Sequence, residues 1–184
     1  MTSTRRPDTA LAPFPTAEGA ETVSQKSSNE SGSPTPIILD VDTGVDDACA
    51  LLMAALHPDV ELLAVTCVSG NVSVNDVVRN TLKVLDIAGR HDVPVAGGAA
   101  RPLLEPGREA RHVHGADGMA DLHWPESERH VDARHAVELF RDLLSEAAAG
   151  APTDRISLAT LAPSTNHPPP VATYPDPAGR PRRE

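Results

Sequence analysis

The sequence predicts an α/β fold, a mostly parallel sheet with crossover helices. Two observations carry that expectation. Short β-branched apolar runs alternate with segments whose apolar residues recur at helical spacing, in the order strand, helix, strand, helix, strand, loop, helix, strand. The first of those runs also ends in four carboxylates within eight positions, Asp40, Asp42, Asp46 and Asp47. Ligands of such sheets bind beyond the carboxyl ends of the strands, where this cluster falls.

Residues 37–41 (Ile-Ile-Leu-Asp-Val) are short, apolar and β-branched, and read as a buried strand. Over 46–56, Ala48, Leu51, Leu52, Ala55 and Leu56 recur at helical spacing, and His57-Pro58 stops the helix. Residues 60–68 form a second buried strand, ended by Ser69-Gly70-Asn71. A helix follows from Val74 to Ala88, with Gly89 as its C-terminal stop. Val93 to Ala96 is a third short strand, closed by Gly97-Gly98. Residues 99–131 are polar and rich in Gly, Pro and His; a loop this long is usually functional or without fixed structure. Helical spacing returns over 132–149, where Ala136, Val137, Phe140, Leu143 and Leu144 share a face, and Ile156 to Leu161 is a fourth strand. Residues 162–184 hold seven prolines, and no helix crosses Pro168-Pro169-Pro170.

At 184 residues the chain has length for one domain with a core. Residues 1–36, rich in Ser, Thr, Pro, Gly and Glu, bury too little apolar surface to offset ordering entropy and read as a disordered leader. The α/β domain is expected over 37–167 and a Pro-rich irregular tail over 168–184. Arg5 and Arg6 precede no apolar signal region, and no run reaches the roughly 18 apolar residues that span a bilayer, so the expected location is cytoplasmic, with no membrane partner. The formal net charge of −10 argues against nucleic acid as a partner. Cys49 and Cys67 both sit among apolar residues and read as buried reduced thiols, with a disulfide left open.

The aspartates carry the chemistry. Asp42 and Asp47 flank a turn in which Gly44 is expected to allow a sharp bend that brings the two carboxylates together. Hard carboxylate oxygens suit Ca²⁺ or Mg²⁺. Asp46 and Asp47 also open a helix, where the N–H groups favour negative charge.

Residues 40–48, Asp-Val-Asp-Thr-Gly-Val-Asp-Asp-Ala, closely resemble the N-terminal signature of the inosine-uridine preferring nucleoside hydrolases, usually Asp-x-Asp-Pro-Gly-x-Asp-Asp-Ala. Thr43 stands where proline is common. Three further stretches resemble that family in order: Val68 to Asn71 at a strand end, His112 to Gly118 as a His-x-His-Gly loop, and Leu158 to Asn166 as a strand followed by a Thr-Asn turn. The resemblance spans roughly 36–167. It implies that Asp42 and Asp47 ligate Ca²⁺ together with the backbone carbonyl of Leu161. It also implies that Asp46 and Asn71 hold ribose hydroxyls, and that His114 touches substrate. A calcium-bound water, deprotonated with help from Asp42, would attack the anomeric carbon of a ribonucleoside and release free base and ribose. A homo-oligomer would be the assembly. Family members run longer, so the resemblance also implies a truncated chain. Further calcium and base contacts would be missing and the last strand uncovered, with the activity of the chain on its own left open.

Five histidines, His112, His114, His123, His130 and His135, lie within 24 residues. Their spacing suits no common zinc pattern and no cysteine accompanies them, so solvent-exposed loop histidines are expected, apart from His114. Two other functions compete. Asp40 and Asp42 after an apolar strand resemble the nucleophile and acid/base pair of haloacid-dehalogenase-type phosphohydrolases. Gly44 replaces the Thr or Val that family wants, and only Lys26 and Lys83 are available at the phosphate. The other alternative is a non-catalytic binding or assembly fragment.

Overall fold

The computed structural model describes residues 33–104, 106–149 and 156–166. The expected leader (apart from its last four residues) and the expected tail lie outside them. Strand β1 spans Thr35–Val41, helix α1 Val45–Leu56, β2 Val60–Cys67, α2 Val74–Ile87 and β3 Val95–Gly97. A four-residue helix α3 (Arg111–His114), helix α4 (Ala136–Ala149), strand β4 (Ser157–Thr160) and a 3₁₀ turn (Ser164–Asn166) complete the order.

All strand pairs are parallel, in the spatial order β3-β2-β1-β4. The chain therefore winds outward from β1 to β3, then returns to pair β4 on the other side of β1. The order reverses between β1 and β4, and the carboxyl ends of such a strand pair are where sheets of this kind bind ligands.

Each face of the sheet has its own core. Leu39, Val41, Val65, Cys67 and Val95 pack with Leu51 and Ala55 of α1 and Val77, Val84 and Leu85 of α2. Ile38, Ala64 and Ala96 pack with Ala136, Leu139 and Phe140 of α4. Strand alternation alone would put Leu62 and Val65 on opposite faces. A register shift between Ile37 and Ile38 skips Leu63, so both reach the α1/α2 side.

The helix ends follow their sequence signals. Ser73 accepts a hydrogen bond from the Asp76 N–H, which caps α2. At the other end Gly89 takes φ +68°, and the N–H of Arg90 reaches back to the Leu85 carbonyl. Several expectations shift. The third strand starts at Val95 rather than Val93, and the carbonyl of Pro94 still accepts from the Val65 N–H. The helix expected over 132–149 starts at Ala136, because Asp132 is drawn to the edge of β3, its N–H donating to the Val95 carbonyl.

The loop expected over 99–131 is pinned in its second half rather than free. Besides containing α3, it buries Met119, and the Asn80 amide donates to the Asp117 carbonyl at 2.8 Å. Cys49 corrects the reading of two buried thiols: it is exposed, since the buried positions of α1 are 47, 48, 51 and 55 and Cys49 falls outside that stripe. Cys67 is buried and both thiols are free; burial pushes the Cys67 thiol up to about 12. A thiol reagent is therefore expected to titrate one cysteine in the native protein and the second only on unfolding. Two fast-reacting native thiols would contradict this packing.

Candidate functional site

The site forms where β1 ends. Its last two residues lead into Asp42, Thr43 and Gly44, and α1 begins at once, so Asp46 and Asp47 sit in that helix's first turn. Gly44 does not supply the expected sharp bend. Its φ of −109° is one that any residue adopts. What glycine supplies is room, because a Cβ there would lie 2.6 Å from the Nδ1 of His114 and 2.9 Å from the amide nitrogen of Asn71.

Asp42 and Asp47 converge as expected. They are 8 % and 4 % exposed, and the N–H of Asp42 donates to Oδ2 of Asp47 at 3.0 Å. Asn71 clamps Asp42 from the end of β2: its N–H donates to Oδ2 at 2.9 Å and its side-chain amide to the Asp42 carbonyl at 3.1 Å. Gly70 closes around the same carboxylate, since a Cβ there would collide with Oδ2. Burial raises the pKa of Asp42. Burial, and then the charge of Asp42, push Asp47 up to about 7. Two carboxylates so close and so dry are a proton- or cation-binding pair.

Asp46 points the other way and its side chain is 78 % exposed. His114, at the end of α3, lies over this turn. Its Nδ1 is 3.4 Å from the Val45 N–H, which donates to it, and 4.0 Å from the Asp46 carboxylate. The other four clustered histidines are exposed, as expected. Leu161 directly follows β4, and its N–H donates to the Asp40 carbonyl at 2.9 Å, which brings it to the end of β1. Asp42, Asp46, Asp47, Asn71, His114 and Leu161 thus collect at one end of the sheet.

Asp40 is completely buried. Its Oδ1 accepts from Thr66 Oγ1 at 2.6 Å and from the Asn166 amide at 2.8 Å. A phosphoryl-transfer nucleophile has to meet its substrate, and Asp40 has no open side, which removes the phosphohydrolase alternative. Sequence reasoning missed Thr66, Thr81 and Asn166 as parts of the site's frame. Thr81 bonds Thr43 at 2.6 Å and so holds the turn between Asp42 and Gly44. A polar residue inside an otherwise apolar strand or helix face was the available signal at Thr66 and Thr81.

The donor chemistry fits a hard cation. Two carboxylates that disfavour joint ionisation lie beside a backbone turn, and carboxylate with carbonyl oxygen is the ligand set of Ca²⁺ and Mg²⁺. Among the described residues no group of three or more His, Cys, Asp or Glu side chains converges on one point, so any further ligands would be backbone, water or substrate oxygens.

Comparison with known proteins gives the family. The family model described as inosine-uridine preferring nucleoside hydrolase matches residues 37–180, well over half of the chain. An inosine-uridine preferring nucleoside hydrolase of Leishmania major is 46 % identical over 112 residues, which are 60 % of this chain and 36 % of that protein. A non-specific ribonucleoside hydrolase of Klebsiella pneumoniae (strain 342) is 43 % identical over 131 residues, 71 % of this chain and 41 % of the relative. Among solved structures, a plant nucleoside hydrolase superposes with a TM-score of 0.71 at 33 % identity, covering 79 % of this chain and 45 % of the other. The chain therefore spans less than half the length of these relatives. A parallel sheet with its switch point at Asp40–Asp47 and this extent of matching sequence make the chain a member of the inosine-uridine preferring nucleoside hydrolase family.

Proposed function

We propose that this site hydrolyses the N-glycosidic bond of ribonucleosides to free base and ribose, with Ca²⁺ held by Asp42, Asp47 and the carbonyl of Leu161. The observation that carries the reading is the buried Asp42–Asp47 pair at the β1/β4 switch point. When bound, the cation supplies positive charge that lets both carboxylates ionise and makes nearby water more acidic.

The chain's own groups do the rest. Asp42, fixed by Asn71 and raised in pKa by burial, takes the proton of the attacking water. Asp46, exposed at the start of α1, accepts hydrogen bonds from ribose hydroxyls. Asn71 spends its amide N–H on the Asp42 carbonyl and presents its amide oxygen to the sugar. His114, over Gly44, borders the same space and contacts the bound nucleoside. The transition state is oxocarbenium-like, so fixed negative charge beside the sugar stabilises it more than it stabilises the ground state. The other parts of the proposal are a cytoplasmic location, a ribonucleoside rather than a nucleic acid or membrane as partner, and a homo-oligomeric assembly. No helix among the described residues is long and apolar enough to cross a membrane.

The direct test is ribose release from inosine and uridine, with calcium and with chelator, by the chain and by its Asp42→Ala variant. Calcium-dependent release that falls about 10²- to 10⁴-fold in the variant is expected for loss of a general base. Release indifferent to both calcium and the substitution would overturn the assignment.

Stability supplies a second prediction. Asp47 holds its proton up to about pH 7 in the folded chain, whereas an unfolded aspartate loses it near pH 4. The folded state therefore binds more protons between those values. Asp47 contributes stability at low pH that is lost as pH rises through about 7. Asp92 and Asp132, lowered by Arg90 and Arg134, act in the opposite sense, so the parent must be compared with Asp47→Asn. In chelator, the parent's unfolding midpoint should fall relative to Asp47→Asn between pH 5 and pH 8. Calcium should restore the parent alone. A parent that gains on Asp47→Asn as pH rises in chelator would contradict the burial of this pair.

A further inference from the structure

The proposed reaction leaves Asp40 without a task, although it is the most buried carboxylate of the signature. It is 0 % exposed and meets no substrate. Its Oδ1 gathers Thr66 of β2 and Asn166 of the 3₁₀ turn at 2.6 Å and 2.8 Å. Asn166, 3 % exposed, extends the bridge: its Nδ2 also donates to the Cys67 carbonyl at 3.0 Å, and its Oδ1 accepts from the Ala99 N–H at 2.9 Å. Gly98 leaves the room, since a Cβ there would run into the Asn166 amide. The backbone adds one more tie, from the Leu161 N–H to the Asp40 carbonyl.

One carboxylate and one amide thus join the ends of β1 and β2, the segment after β3 and the turn after β4. The last of these needs the help most. Strand β4 is a four-residue edge strand paired to β1, its side chains are mostly exposed, and Leu161 is itself 45 % exposed. Among the described residues, none of 161–166 joins either apolar core, and a buried polar group is by itself a poor source of net stability. Its value lies in fixing one geometry.

We propose that Asp40 is a positioning residue that acts through Asn166. It anchors residues 161–166 so that the Leu161 carbonyl stays at the end of β1, beside Asp42 and Asp47. This inference rests on the reading of those three groups as cation ligands.

The test uses the full chain and two readouts, amide hydrogen exchange at Leu161 and Ala99 without metal, and calcium affinity by titration calorimetry. Asp40→Ala and Asn166→Ala each remove one end of the bridge, and their combination tests whether the two residues act as one unit. Gly98→Ala crowds the amide while leaving both partners chemically intact, so it serves if Asp40→Ala fails to fold. The expected result is faster exchange at both amides and calcium affinity weaker by about ten-fold or more in each single variant, as for other groups that orient metal ligands. The double variant should lose little more than either single variant, and unfolding should stay cooperative. Unchanged exchange, or faster exchange with unchanged calcium affinity, would overturn the positioning role. Faster exchange in the single variants of a parent chain that binds no calcium would instead overturn the metal reading on which this inference rests, and support the anchoring role of Asp40 alone.

Discussion

Asp42 and Asp47 share a space too dry for two negative charges. Like charges about 4 Å apart repel by about 4 kcal/mol even at an effective dielectric of about 20. A domain's whole stability is only about 5–15 kcal/mol, so such a pair has to bind a proton or a cation. The surroundings keep the pair together rather than letting it spread. Asn71 and Gly70 close on Asp42, Thr81 holds the turn through Thr43, and the first turn of α1 fixes Asp47. The raised proton affinity of both acids is the electrostatic mark of that confinement.

The sheet explains why the confinement arises here. Parallel strands point all their carboxyl ends the same way, and the reversal of strand order between β1 and β4 parts the chain segments that leave those ends. Asp42 leaves β1 toward α1, and Leu161 leaves β4 toward the 3₁₀ turn. Asn71 comes from the end of β2, and His114 arrives from the long connection after β3. Four separate pieces of chain thus meet at one crevice, and the exposed Asp46 gives it a polar wall facing solvent.

Local pattern made much of this legible. The β-branched run before Asp40, the helical spacing from Ala48 to Ala55 and the stop at Gly89 mark elements that the fold contains within one or two residues. The aspartate spacing marked the site, because four acids at a strand end have few structural uses. Other features depend on partners far away in sequence. The Asp40–Asn166 bond spans 126 residues, and nothing local announces it. The place of β4 beside β1 rather than beside β3 is likewise a matter of tertiary pairing. Cys49 read as buried because its neighbours are apolar, yet helical phase, not neighbourhood, decides which way a side chain faces. Gly44 read as a hinge, whereas its purpose is the close approach of His114, which comes from 70 residues on.

The central claim is that the Asp42–Asp47 pair is a cation site, and diffraction from crystals of the chain grown with calcium tests it most directly. The account predicts an anomalous-scattering peak about 2.3–2.6 Å from carboxylate oxygens of both aspartates, with the Leu161 carbonyl among its neighbours. Well-ordered density for both side chains with no peak between them at saturating calcium would contradict it.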